Sequence, residues 1–294
     1  MMRLTSLSIR RFKIFGLFPV VRLIQIIENP KYIIHILKKN IYYKNDKRDY
    51  SIYYEKINFL SANETLIYLI EKNISLARFG DGEFDQLIGA GVYPPDSDWS
   101  QKWSKSLEND LKNLLENQSK KLLLAFYPPS VFLASKNSKP QKVFSYNMWI
   151  DMKRMLWKYL KPEMVYGHAQ LFIHQVIADF DWDLFKKHVS NKEIIIVTGN
   201  TTSIEHLKLG KQTYFIEAGN TDAYERKGQI ISKIKALFTN NNISKKSALI
   251  FLSLGPTACL IANELKDEFV CWDTGHIFEF AASNFFETLI NKSE

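Results

Sequence analysis

The chain has 294 residues, of which 46% are hydrophobic and 24% charged, a globular composition with ample length for a large core. Its two cysteines, Cys259 and Cys271, have no metal-type spacing, exclude a disulfide scaffold and indicate a reducing compartment. The net charge of +8 belongs to the first 48 residues, which hold eleven Lys and Arg against two acids, whereas the remainder holds 28 basic and 29 acidic residues. Because a nucleic-acid-binding body carries its own basic face, we expect no nucleic-acid partner.

Residues 1–60 are predicted to be a basic, apolar N-terminal segment that ends in a linker over residues 40–58. The apolar run at 14–27, interrupted by Pro19 and Arg22, is too short to span a membrane, and no small-residue cleavage site follows it. Basic residues on both sides of this run are typical of a segment on an anionic membrane surface, which makes residues 1–48 a candidate membrane contact. The alternative is that helices in this segment pack on the body and leave a basic face in water.

Residues 61–294 are predicted to form the main domain. The first helix starts at a capping box, in which Ser61 precedes Glu64 by three residues. Strand and helix patterns then alternate along the chain. The predicted strands are 74–79, 121–126, 164–166, 193–198, 213–216, 248–254 and 269–272. The other predicted helices are 99–117, 147–160, 172–180, 182–188, 222–238 and 257–266. This alternation predicts an α/β fold, a Rossmann-like doubly wound, mainly parallel sheet with helices on both faces.

The first predicted strand of the main domain ends in Arg78-Phe79-Gly80-Asp81-Gly82-Glu83. Glycines on either side of Asp81 let the backbone bend sharply, so that the carboxylates of Asp81 and Glu83 can face one point. Two hard oxygen ligands with room for others suit Mg²⁺ or Mn²⁺ carrying a substrate phosphate. A single turn of this kind is more often a solvated turn, so the metal interpretation depends on what lies beside it.

Three further polar turns follow predicted strands, at residues 199–203, 255–258 and 273–276. The turn at 199–203 is expected to open a helix. Ligands of an open parallel sheet bind beyond the carboxyl ends of the strands, and all four turns are expected at that edge. Helix N-termini there offer unpaired N–H groups to a phosphate. Each turn alone has a structural explanation, a helix start or a hydrogen-bonded histidine, but their joint placement favours a binding site. The candidate residues in these turns are Gly199, Asn200, Gly255, Pro256, Thr257, Asp273 and His276.

Three of these motifs, in this order, resemble those of bacterial glycosyltransferases of the GT-D fold. They are residues 78–83, 254–258 and 273–277, and the resemblance covers roughly residues 61–290. It implies a Rossmann-type, metal-dependent enzyme that uses a nucleotide sugar, typically a UDP-sugar, to build surface polysaccharides or protein-linked glycans. It also implies that Asp81 and Glu83 are the metal ligands and that the 255–258 turn lies against the nucleotide diphosphate.

The resemblance leaves the catalytic base open. The family often places one acid directly after Gly-His-Ile and another two positions later, whereas this chain has Phe278, Glu279 and Phe280. Glu279, His276 and Asp273 are therefore rival candidates for taking the proton of the acceptor hydroxyl. The residues expected to contact the nucleotide sugar are Arg78, Gly80, Gly82, Gly199, Asn200, Gly255, Pro256 and Thr257.

Two other functions fit parts of the sequence. One is a different nucleotide-dependent Rossmann enzyme, such as a methyltransferase or a sugar-nucleotide modifier; the turn at 80–83 lacks Gly-x-Gly-x-x-Gly spacing, which disfavours a dinucleotide site. The other is a non-catalytic membrane-binding module, in which the basic segment is the functional part. The glycosyltransferase interpretation places the enzyme in the cytoplasm, at the inner face of the plasma membrane, with a glycan acceptor that could be lipid-linked.

Overall fold

The computed structural model describes residues 23–38, 55–92, 100–127, 155–172, 180–202, 204–275 and 277–278. Within these ranges no helix is both long and apolar enough to cross a membrane. Near the N-terminus, residues 23–28 are helical and are followed by helix α1 (Tyr32–Lys38).

Eight parallel strands of the described chain form one sheet, in the order β1-β4-β3-β2-β8-β7-β5-β6. The strands are β1 (Asn58–Phe59), β2 (Ser75–Arg78), β3 (Leu122–Phe126), β4 (Val165–His168), β5 (Glu193–Thr198), β6 (Gln212–Glu217), β7 (Ala248–Ser253) and β8 (Cys271–Asp273). The central strands are buried on both sides, as in a parallel sheet whose two faces are both covered.

Helices cover both faces of the sheet and bury a separate core on each. They are α2 (Ala62–Lys72), α3 (Asp81–Leu87), α4 (Lys105–Glu116), α5 (Trp182–Ser190), α6 (Lys227–Asn240) and α7 (Pro256–Leu265). Helices α3, α4, α6 and α7 share one core with β-strand side chains such as Ile195 and Ile250. Helices α2 and α5 pack on the opposite face, against side chains such as Ile196 and Phe251. This alternation along the strands confirms the predicted doubly wound α/β architecture.

The predicted strands agree closely with the structure. Strand β5 occupies the predicted range 193–198, and the other predicted strands match within two residues at each end. The capping box is also present: the Ser61 hydroxyl accepts a hydrogen bond from the Glu64 N–H, and the Glu64 carboxylate accepts one from the Ser61 N–H at 2.8 Å. These features depend on short stretches of sequence, which is why the pattern alone predicts them.

Three local predictions were wrong. The helix predicted at 99–117 begins at Lys105, because Ser104 caps it and residues 100 and 101 instead form β-bridges. The turn after β5 opens no helix within the described residues 199–202 and 204–210, since the Asn200 side chain accepts the Thr202 N–H at 2.9 Å and closes a local turn. Residue 58, the last of the predicted linker, forms the edge strand β1 together with residue 59, beside β4.

Several predictions fall on residues outside the described ranges. They concern the first part of the helix predicted at 147–160, most of the helix predicted at 172–180, and the catalytic candidates His276 and Glu279.

Candidate active site

The candidate site lies where the order of the strands reverses. From β2 the chain moves outward to β3 and β4 on one side, and then crosses to the other side for β5 to β8, so that β8 lies beside β2. In doubly wound sheets this switch point opens a crevice at the carboxyl ends of the strands, where ligands bind. The segments that leave β2, β7 and β8 therefore meet at one place, as the sequence predicts.

The two predicted metal ligands lie in the first turn of α3, directly after β2. Asp81 is exposed, and its Oδ1 accepts the Gly82 N–H at 3.2 Å. Glu83 is only 6% exposed, and its Oε2 accepts the Gly80 N–H at 2.7 Å. The turn expected from the glycines is thus the start of a helix, in which one carboxylate caps the backbone and the other faces solvent.

The surroundings of the Glu83 carboxylate shift its pKa strongly. Burial, and next the negative charge of Asp273, raise the pKa of Glu83 to about 8, with a smaller contribution from Asp81. A buried acid beside another acid is stabilised by a cation. The arrangement is therefore one in which additional positive charge would be favourable.

Asp273 ends β8 and connects it to β2. Its Oδ2 accepts the Arg78 N–H at 3.1 Å, and its Oδ1 accepts the Gly275 N–H at 3.0 Å. The thiol of Cys259, on α7, lies 3.5 Å from Oδ2. Burial raises the pKa of Asp273, whereas the guanidinium of Arg78 opposes that shift. Asp273 is 3% exposed, and its main structural role is to join the ends of β8 and β2 through the hydrogen bond to Arg78.

The side chain of Arg78 is a buried cation with unused donors. It is 8% exposed, and among the described residues its Nε and Nη1 have no hydrogen-bond partner. A Cβ at Gly275, whose φ is +54°, would lie 2.6 Å from Nη1, so glycine is needed for this close approach. Buried guanidinium donors without acceptors are costly unless an anion binds to them. Arg78 is therefore the most direct indication of an anionic ligand at this edge.

Helix α7 presents its N-terminus beside Arg78. The Cys259 thiol donates to the Arg78 carbonyl at 2.9 Å, and a Cβ at Gly82 would lie 3.5 Å from Pro256 Cγ. Gly255 has φ +54° and ψ −142°, a conformation that L side chains rarely adopt. Of the nucleotide-binding candidates on this turn, Pro256 thus lies against Gly82, and Gly255 and Thr257 flank Pro256 in the chain.

Buried polar contacts fix the start of α7. The Thr257 hydroxyl donates to the Gln101 Oε1 at 3.3 Å, and the same oxygen accepts the Tyr224 N–H at 3.1 Å. Gln101 is buried and belongs to the segment before α4. Sequence reasoning missed this residue, because nothing local to residue 101 indicates a contact 156 positions further along the chain.

The turn at Gly199 and Asn200 lies at the same edge but two strands from β8, beyond β7. A Cβ at Gly199 would lie 2.4 Å from the Asn220 Oδ1, and the Gly199 carbonyl accepts the Gly219 N–H at 2.9 Å. The contacts described for this turn therefore run to the loop after β6. Its role in nucleotide binding stays a prediction.

Two residues at the carboxyl edge were not selected from the sequence. His168 ends β4, and its Nδ1 accepts the Gln170 N–H at 3.1 Å, which leaves the ring proton on Nε2. Burial, and next the charge of Arg78, lower the pKa of His168 to about 4, so the ring is a neutral donor at pH 7. Tyr127 follows β3, and its hydroxyl oxygen lies 3.8 Å from the position of a Cβ at Gly80. The available signal was position, since both residues come at the end of predicted strands.

The donor set at this edge fits a hard divalent ion that is only partly held by protein. Among the described residues no group of three or more His, Cys, Asp and Glu side chains is arranged to hold a metal. Asp81 offers an exposed carboxylate, and one oxygen of Glu83 is already engaged by Gly80. Mg²⁺ in phosphate-handling sites takes one or two carboxylates from the protein and completes its shell with substrate phosphates and water.

Comparison with known proteins extends these observations. Residues 76–285 match the family model described as "Glycosyltransferase GT-D fold". Over 264 residues the chain is 24% identical to "Probable glycosyl transferase Gly" of Streptococcus gordonii, covering 85% of this chain and 35% of that protein. The chain thus spans about a third of the length of this curated relative.

Two solved structures share the fold. One is described as "The highly conserved domain of unknown function 1792 has a distinct glycosyltransferase fold", with a TM-score of 0.63 and 20% identity over 81% of this chain and 87% of that one. The other is "A New Glycosyltransferase (DUF1792) from Streptococcus sanguinis", with a TM-score of 0.61 and 23% identity over 78% and 86%. The family match begins in β2, takes in all the turns at the carboxyl edge and covers well over half of the sequence. This chain belongs to the glycosyltransferase family of the GT-D fold.

Proposed function

We propose that the protein transfers a sugar from a nucleotide sugar, specifically a UDP-sugar, to a glycan acceptor in the synthesis of bacterial surface polysaccharide or glycoprotein. The observation that carries this proposal is the buried guanidinium of Arg78, whose Nε and Nη1 are unpartnered among the described residues. A diphosphate would supply the missing acceptors and neutralise the charge. Membership of a glycosyltransferase family supports sugar transfer as the use of that diphosphate.

In this proposal the donor diphosphate lies between Arg78 and the N-terminus of α7. The first N–H groups of a helix lack intrahelical partners and point toward an anion, and α7 starts at Pro256 beside Gly82. Donors that are already in place stabilise the charge that develops on the leaving diphosphate without reorganisation. Arg78 and α7 would therefore act mainly on the departure of the nucleotide.

We further propose Asp81 and Glu83 as the protein ligands of Mn²⁺ or Mg²⁺. Such an ion, when bound, supplies positive charge that stabilises the leaving diphosphate. Asp81 is exposed, so a ligand can reach its carboxylate, whereas Glu83 is buried and oriented by its hydrogen bond to the Gly80 N–H. The first turn of α3 would thus provide one adaptable and one fixed carboxylate.

The proton of the acceptor hydroxyl would pass to Glu279, His276 or Asp273. Both carboxylate oxygens of Asp273 already accept backbone N–H groups, and its side chain is buried. This favours His276 or Glu279, from the segment that follows β8, for direct contact with an acceptor. Direct displacement assisted by such a base would invert the anomeric centre.

The test is a thermal-shift titration of the whole protein with UDP, with S-adenosylmethionine and with Mn²⁺. Stabilisation by UDP that depends on Mn²⁺ is the expected result, because a ligand that binds only the folded state raises the melting temperature. Stabilisation by S-adenosylmethionine instead would favour a methyltransferase. No stabilisation by either compound would favour a non-catalytic module.

Replacement of one ligand tests the metal proposal. We expect Asp81→Asn to remove the Mn²⁺-dependent part of the UDP effect and to lower donor hydrolysis about 100-fold, equivalent to about 3 kcal/mol of transition-state stabilisation. Asp267→Asn is the matched control, because Asp267 is an exposed acid paired with Lys121 at the end of α7 away from the site. Undiminished hydrolysis by Asp81→Asn would remove the metal role.

We also propose that the enzyme works at the inner face of the plasma membrane, held there through residues 1–48. These residues carry a net charge of +9, from eleven Lys and Arg and two acids. Basic segments of this kind are attracted to the anionic lipids of the cytoplasmic leaflet. A lipid-linked glycan would be an acceptor suited to that location.

A further inference from the structure

The helical residues 23–28 and helix α1, here called the N-terminal helix pair, are attached to the body through polar side chains. Gln25 and Asn29 are each only 7% exposed. The Gln25 amide donates to the Gly91 carbonyl at 2.7 Å, and the Asn29 amide donates to the Gly89 carbonyl at 2.9 Å. Gly89 has φ +89°, and a Cβ there would lie 2.5 Å from the Asn29 Nδ2. The contact is therefore a close and specific one.

The same helix pair turns its large apolar side chains toward solvent. Six of its residues are 36% to 70% exposed, and only two other large hydrophobic residues of the described chain, Ile67 and Trp157, are comparably exposed. A surface helix of a globular protein normally buries its apolar face and exposes its polar one. The exposed residues of the pair are Leu23, Ile24, Ile27, Ile33, Ile34 and Leu37.

An exposed apolar surface of this kind indicates a binding partner. The charge of the surrounding segment indicates which kind of partner it is. The first 48 residues have a net charge of +9, and Lys31, between the two helices, is exposed. In a symmetric dimer this face would meet its own copy, so that the two positive segments would repel each other. An anionic lipid surface would accept the apolar side chains and attract the positive charge.

We propose that the outward face of the N-terminal helix pair inserts its apolar side chains into an anionic membrane, while Gln25 and Asn29 fasten the pair to the active-site region. This inference rests on the membrane association proposed above and specifies the surface that makes it. The segment to which the pair is fastened, residues 89–91, follows α3, whose first turn contains Asp81 and Glu83. Since α3 has seven residues, it is about 10 Å long. Membrane contact would therefore hold the metal-binding turn close to the lipid surface.

The test is flotation of the full-length protein with vesicles of phosphatidylglycerol and phosphatidylcholine, compared with vesicles of phosphatidylcholine alone. The variant combines Ile27→Gln, Ile34→Gln and Leu37→Gln. Its matched control is Ile67→Gln, because Ile67 is 43% exposed on α2 and lies outside the helix pair. We expect the wild type and the control to bind the anionic vesicles and to bind less in high salt, and the triple variant to bind at least ~100-fold more weakly.

The outcomes separate this inference from the proposals on which it depends. If the wild type binds and the triple variant binds equally well, the assigned face is wrong although the association stands. If the wild type binds neither vesicle, both the association and the face are wrong, while the UDP and Mn²⁺ titration still reports on sugar transfer. If sedimentation shows a wild-type dimer that the triple variant breaks, and neither protein binds vesicles, the face is an interface between copies. An unchanged melting temperature of the triple variant establishes that it is folded.

Discussion

Replacement of Arg78 by methionine is the most direct test of the anion site, because it removes the charge while keeping an unbranched apolar side chain. Arg78 is buried at the carboxyl edge, and its Nε and Nη1 have no partner among the described residues. If both atoms bind the donor diphosphate, the variant loses two charge-assisted hydrogen bonds.

The expected loss follows from the strength of such bonds. A hydrogen bond to a charged group contributes about 1.5–3 kcal/mol, so two of them amount to about 3–6 kcal/mol. Because each 1.4 kcal/mol is a tenfold change in affinity, the Kd for UDP should rise about 100-fold to 10,000-fold.

The assay is isothermal titration of UDP in excess Mn²⁺, with Lys121→Met as the control. Lys121 is an exposed cation paired with Asp267 away from the site, so its replacement changes the net charge equally and should leave the Kd unchanged. Circular dichroism shows whether each variant is folded. A change below threefold in a folded Arg78→Met protein would refute the reasoning, since it would mean that the unpaired donors do not contact the nucleotide.

Three further predictions concern stability. Gly275→Ala should lower the free energy of unfolding by about 1–3 kcal/mol, because φ is +54° and a Cβ would meet the Arg78 guanidinium. Gly228→Ala, whose Cβ would lie in open space on α6, should raise that free energy by about 0.5–1 kcal/mol. Urea titration measures both changes, and equal effects of the two substitutions would contradict the clash with Arg78. Ser61→Ala should cost about 1 kcal/mol through loss of the α2 cap, and an unchanged urea midpoint would contradict this. Burial lowers the pKa of His188 to about 4, below its unfolded value near 6.5, so its stabilising effect is present above pH 6.5 and is lost as the pH falls toward 4. His188→Gln should flatten the dependence of the unfolding midpoint on pH in that window, and an unaltered slope would contradict the assignment.

The sequence indicated where the site would be, through residues that depend only on their neighbours in the chain. Each glycine-containing turn follows a strand that the pattern predicts within two residues, and parallel strands bring their carboxyl ends to one edge. The sequence alone therefore predicts that Asp81, Glu83, Gly255 and Asp273 lie at the same edge of the sheet. The family resemblance of the same motifs is confirmed by the match over residues 76–285.

The sequence could not assign the roles of these residues, because roles depend on burial and on distant partners. Asp81 and Glu83 look equivalent in the motif, yet one is exposed and the other is a buried cap of Gly80. Gln101 carries no local signal, since its contacts with Tyr224 and Thr257 come from elements far away in the chain. The position of His168 after a predicted strand does not reveal that burial and the charge of Arg78 lower its pKa.

For the N-terminal helix pair, too, the sequence predicts one property and the tertiary structure decides another. The apolar and basic composition of this segment predicts contact with an anionic membrane. The sequence does not reveal which side faces outward, because amphipathic patterns normally place polar residues in water. The tertiary structure decided this through two carbonyl groups, at Gly89 and Gly91, that accept hydrogen bonds from Asn29 and Gln25. Local patterns determined the elements and the location of the site, whereas the environment of each side chain was fixed only when remote segments packed against it.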